Sequence, residues 1–131
     1  MFNPLTPARL VGILSTVLRD SAGWDRPLEP FQTGQLKSAS SIGRFAAAEI
    51  AHSGPVLRDF RAALHDVMPD APLDADVAEL GEFLCGRLAE LRDRPGGNEN
   101  DELRTTLHGL LRDLTNAEIE ILIGASKGGE S

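Results

Sequence analysis

Glu49 and His52 stand three residues apart, the Glu-x-x-His spacing that places two metal ligands on one helix face in di-iron bundles. Such a centre needs a second Glu-x-x-His and two further glutamates from other helices. The sequence holds no second copy, so no metal is expected. The lone Cys85 excludes an intramolecular disulfide, and one Cys with three His cannot supply a four-ligand zinc set. Cys85 falls at the edge of an apolar helix face, where a free thiol is usually a small core residue. His65 and His108 project from the outer faces of their helices, and nothing aligns a nucleophile, a base and an orienting group. Gly96 and Gly97 follow a helix and lack the strand and the lysine of a phosphate-binding loop. The expectation is therefore a non-enzymatic chain with no catalytic residue and no cofactor.

Two charged residues depart from the apolar periodicity. Glu49 falls inside the apolar arc of its helix, and Arg87 lies between Phe83 and Leu91 on the apolar side of another. A carboxylate on such an arc must be paired, protonated or near the helix edge. A buried Glu49–Arg87 ion pair is the structural expectation, with Arg87 reaching outward over the core as the alternative.

The elements that would position these residues are helical almost throughout. Thr6 can cap a first helix with Pro7 at its first position, Leu5 can staple onto Leu10, and Leu10, Val11, Ile13, Leu14, Val17 and Leu18 share a face. After a linker from Ala22 to Thr33, a second helix from about Gly34 to His52 is rich in Ser, Ala and Gly. Small side chains permit close helix approach, which suits a central helix. Ser53, Gly54 and Pro55 read as a break. A third helix carries Phe60, Leu64 and Val67, and Asp76 with Glu79 forms a capping box for a fourth. Pro95 to Asn98 is another break, and Leu103, Leu107, Leu110, Leu111 and Leu114 form the stripe of a fifth helix. The Leu107–Leu111 stretch also matches a Leu-x-x-Leu-Leu docking pattern, but the same leucines are needed for the core. Thr115 and Glu118 make a further capping box before Ile119–Ile123, a segment whose alternation leaves helix and strand both open and whose cap favours helix. The fold class is all-α: a single-domain antiparallel bundle of five to six helices over residues 1–126, with a flexible tail at 127–131.

Charge is uneven. Of 131 residues, 13 are basic and 20 acidic, net -7. Residues 1–61 hold seven basic and five acidic residues (net +2), and residues 62–131 hold six and fifteen (net -9). The acidic half should repel nucleic acid and anionic lipid, so neither is an expected partner. No apolar stretch reaches the length of a membrane span and no signal layout opens the chain, so a cytoplasmic location is expected. The linker holds Trp24, Pro27, Pro30 and Phe31, with Arg26 and Glu29 beside them. Lys37, Ser41 and Arg44 lie on the outer face of the helix that follows. Trp and Arg are enriched in binding hot spots, so Trp24, Arg26, Phe31, Lys37 and Arg44 are the expected partner-binding surface, with Trp24 as its anchor. The alternative is that Trp24 and Phe31 close one end of the core.

Three stretches, LTPARLVGILSTVLRD, GRFAAAEIAHSGP, and LGEFLCGRLAELRD followed by DELRTTLHGLLRDLTNAE, resemble in order a family of small helical bacterial proteins encoded beside aminoglycoside-phosphotransferase-like kinases and acyl-CoA dehydrogenases. The chain departs from that pattern in the Trp24–Phe31 linker, at Gly43–Phe45 and after Asn116. The resemblance implies an accessory subunit of a kinase acting on hydroxyacyl-CoA thioesters, and supplies no catalytic residues. Two other readings remain: a helical bundle binding an acyl or other apolar small molecule, and a homodimeric structural module.

Overall fold

Thr6 begins the first helix as expected: its hydroxyl accepts a hydrogen bond from the Arg9 amide at 3.3 Å, and Pro7 occupies the first turn of α1 (Pro7–Ser21). The computed structural model describes residues 6–94 and 97–127. The Leu5 staple, Pro95 and Gly96, and the tail beyond Lys127 lie outside the described residues. Three longer helices follow: α2 (Pro30–Val67), α3 (Val77–Asp93) and α4 (Asn98–Lys127). The described residues are all-α.

Among the described residues the count is four helices, against the five to six expected, because two anticipated breaks are bridged. Pro55 sits inside α2. Proline removes an amide donor, and its ring restricts the preceding residue largely through that residue's Cβ; Gly54 has none, so the helix continues across the pair. Likewise the Thr115–Glu118 pattern lies within α4 and caps nothing, since Leu107, Leu110, Leu111 and Leu114 already anchor the helix that runs on through Ile119–Ile123. The linker is correspondingly shorter, because α2 starts at Pro30, where the Gln32 side chain accepts a hydrogen bond from the Glu29 amide at 3.0 Å.

The chain divides into two compact units: unit 1 is Met1–Gly54 with Glu118–Ser131, and unit 2 is Pro55–Ala117. The larger buried side chains are concentrated in unit 2. Its core holds Phe60, Leu64, Met68, Leu80, Leu84, Leu91 and Leu107, with Leu64 and Leu107 fully enclosed. The turn between α2 and α3 is tied down on two sides. Asp76 Oδ1 accepts from the Glu79 amide at 2.9 Å, and Arg61 Nη2 donates to the Ala75 carbonyl at 3.0 Å.

Unit 1 buries far less: Leu10 of α1 and Ala39 and Ala46 of α2 are its described buried residues. Val17 shares a groove with Phe31 and Ser38, whereas Leu10 shares one with Phe45 and Glu49, so α1 runs antiparallel to the first half of α2.

Candidate functional site

Every large apolar residue that remains exposed among the described residues belongs to unit 1. Val11, Ile13 and Leu18 come from α1, and Phe31 and Ile50, 75% and 62% exposed, from α2. Ile119, Leu122 and Ile123 come from the last turns of α4. Local sequence explains their placement. The apolar arc of α1 is wide, and the partners available to it within unit 1 are the small-residue stretch of α2 and one short apolar run of α4. The middle of the arc, at Leu10, is covered and its flanks stay in water. Exposed apolar residues scattered singly are ordinary in folded proteins, and here all eight among the described residues fall in unit 1.

Two open grooves cut this surface. The first, about 370 Å³, is lined by Val17, Phe31, Gly34, Gln35, Ser38, Ala39 and Ile42. The second, about 520 Å³, lies between Leu10, the Ile42–Glu49 face of α2, and Ile119, Leu122, Ile123 and Ser126 of α4. Ile42 lines both. Both run open to solvent along their length. The Glu49 side chain is the one carboxylate in the second groove. Burial pushes its pKa above the usual carboxylate range, and the nearby charge of Glu118 raises it further.

Of the expected Glu49–Arg87 pair, Glu49 belongs to unit 1 and Arg87 to unit 2. Arg87 pairs with Glu90, one turn along α3, at 3.0 Å. That i, i+3 neighbour is always within reach, and both side chains are well exposed. No charged residue is buried among the described residues. Three further ion pairs, Arg92–Asp93, Arg104–Asp101 and Arg112–Asp113, are also local and exposed, and such pairs contribute little stability.

Of the five expected contact residues, Phe31 lines the first groove. Trp24 is half-buried, and Arg26 and Lys37 are exposed. Arg44 is half-buried and donates from Nη2 to Ser41 Oγ at 3.2 Å, so its guanidinium is folded back along its own helix. Neither groove is lined by Trp24, Arg26, Lys37 or Arg44. The face is apolar where the sequence suggested basic residues around an aromatic anchor. Periodicity puts Leu10 on the apolar face of its helix and leaves Ile119–Ile123 open between helix and strand, and marks neither as part of an exposed apolar face. The signal that would have marked them is a surplus of apolar positions over the large residues available to cover them.

Cys85 is exposed, not a core residue. The residue of α3 that points inward there is the neighbouring Leu84, about 100° around the helix from Cys85. His52, His65 and His108 are exposed. Among the described residues, no three His, Cys, Asp or Glu side chains gather closely enough to hold a metal ion, and no helix is long and apolar enough to cross a membrane. Comparison with known protein families, with characterised proteins and with solved structures finds no match.

Proposed function

We propose that the chain is a non-catalytic accessory subunit that docks a larger protein through the apolar face of unit 1. The observation that carries this reading is the segregation of apolar exposure: unit 2 encloses its large side chains, and unit 1 leaves eight in water. The resemblance of the α1, α2 and α3–α4 stretches to kinase-associated helical proteins makes an aminoglycoside-phosphotransferase-like kinase acting on hydroxyacyl-CoA the first partner to test. A photo-crosslinking side chain at Ile123, introduced in the cells that make the protein, should capture a partner, whereas the same group at the exposed Glu82 of unit 2 should not. Equal capture from both positions contradicts the reading.

The volume of the second groove favours a second reading, in which an apolar small molecule binds there, because about 520 Å³ is within the range of ligand pockets. Its open side argues for the protein partner. Small-molecule sites enclose most of their ligand, while a trough along a helix leaves one flank wet.

A further inference from the structure

The two helix ends that the sequence announces and the structure bridges fall where the chain passes between its units. α2 crosses from unit 1 to unit 2 between Gly54 and Pro55, and α4 crosses back between Ala117 and Glu118, inside the Thr115–Glu118 pattern. Nothing requires the boundary of a compact unit to coincide with a helix-end signal, and here both crossings do.

The crossing in α2 is a weak point of that helix. Residue 55 has no amide proton, so the Ala51 carbonyl lacks its partner one turn on, and Ala51, His52, Gly54 and Pro55 are all exposed. No residue of α2 is buried between Ala46 and Phe60, and no described residue of α4 is buried beyond Leu107. Enclosed side chains hold each helix away from its crossing, and the crossing depends on the backbone ladder.

The same residues make good ends for shorter helices. Glycine is accepted at an N-cap and proline is preorganised for the first helical position, so a helix of unit 2 can start at Pro55 without losing a bond it already has. Asn116 is of the type that, with glycine, takes the left-handed conformation past a helix end, which lets α4 stop just before it. Unit 2 also has a core of its own, in which Leu64 and Leu107 are fully enclosed. Unit 1 buries one large side chain, Leu10, and two alanines among its described residues. Little buried apolar area means a low free energy of local opening.

We propose that unit 1 opens as a cooperative unit of its own while unit 2 stays folded, with α2 starting anew at Gly54–Pro55 and α4 ending anew at Thr115–Asn116. The two latent helix ends are a conformational device. They confine the opening to the unit that carries the exposed apolar residues, and they do so in the isolated chain whatever binds there.

Urea titration of the full chain tests this, because the chain already separates the probes. Trp24, the single tryptophan of a chain without tyrosine, is half-buried in unit 1 and reports on that unit. Half of the helical residues lie in each unit, so far-ultraviolet circular dichroism weighs both equally. Dichroism should fall in two steps of similar size, with the Trp24 fluorescence change complete in the first. At low urea, amides of residues 7–50 and 118–127 should exchange at least about tenfold faster than those of 60–68 and 80–91. Pro55→Ala restores the missing donor and removes the preformed end, so it should raise the Trp24 midpoint toward the second step. One transition common to both probes, or a Trp24 change confined to the second step, overturns the proposal. Two steps whose separation is unchanged in Pro55→Ala overturn the assignment of the break to Gly54–Pro55.

Discussion

The Cδ2 methyl of Leu14 in α1 lies 3.2 Å from the point where a β-carbon on residue 43 of α2 would stand. Glycine at this position is what lets the two helices of unit 1 approach, and it explains how a helix made of small residues can still hold α1 in place. Gly43→Val should therefore destabilise the protein by about 1–3 kcal/mol through overpacking. Gly81→Ala in α3, where an added β-carbon meets nothing within 4 Å, should stabilise it by about 0.5–1 kcal/mol by relieving the entropic penalty of a helical glycine. Urea midpoints of the two variants check the contrast, and equal shifts in one direction would contradict it.

Leu64 and Leu107 are enclosed at 0% and 1% exposure in unit 2, so truncating either to Ala should cost about 2–5 kcal/mol. Ile50→Ala in unit 1 should fall within about 0.5 kcal/mol of wild type, because most of that side chain is already in water. Chemical denaturation of the three variants measures the difference, and a large loss at Ile50 would mean that the face is covered in the isolated chain.

Unit 2 was largely legible in the sequence. The Phe60–Leu64 stripe, the Leu80–Leu84–Leu91 stripe, Leu107 and the Asp76 cap follow from helical periodicity and capping chemistry, and the structure places each accordingly. The breaks were less legible. Gly54–Pro55 carries the punctuation of a helix end, yet a glycine before proline also removes the clash that would end the helix, and sequence alone does not separate the two. The exposed apolar residues of unit 1 were the least legible. Periodicity places Val11, Ile13 and Leu18 on an apolar arc without saying how much of that arc the rest of the chain covers. Glu49 was correctly marked as out of place, but its neighbour is Glu118, far along the chain, and Arg87 is held by Glu90.

Asp76 fastens the start of α3 through its bond to the Glu79 amide, and Asp76→Ala should cost about 1 kcal/mol. Arg61→Met keeps the aliphatic stem but removes the donor to the Ala75 carbonyl, so it should loosen the same turn. Amide hydrogen exchange around residues 73–80 should accelerate in both variants. Unchanged protection would show that the turn is held by Met68 and Ala71 packing alone.

The raised pKa of Glu49 makes stability depend on pH with a definite sign. The folded chain keeps this proton to higher pH than the unfolded chain does, so the contribution of neutral Glu49 is complete at low pH and is lost as pH rises through the raised value. Glu49→Gln should match wild type near about pH 3 and melt above it at about pH 7, by no more than a few degrees because the group is only partly buried. A variant that is less stable than wild type at neutral pH would contradict the assignment.

The most direct test of the docking face is the size at which the protein runs in extracts of the cells that make it. Wild type should run well above its chain mass of 14.1 kDa, and the double variant Ile42→Asp, Leu122→Asp should run at that mass while retaining its helical circular dichroism. The same large size for both proteins, or the chain mass for both, would contradict the account.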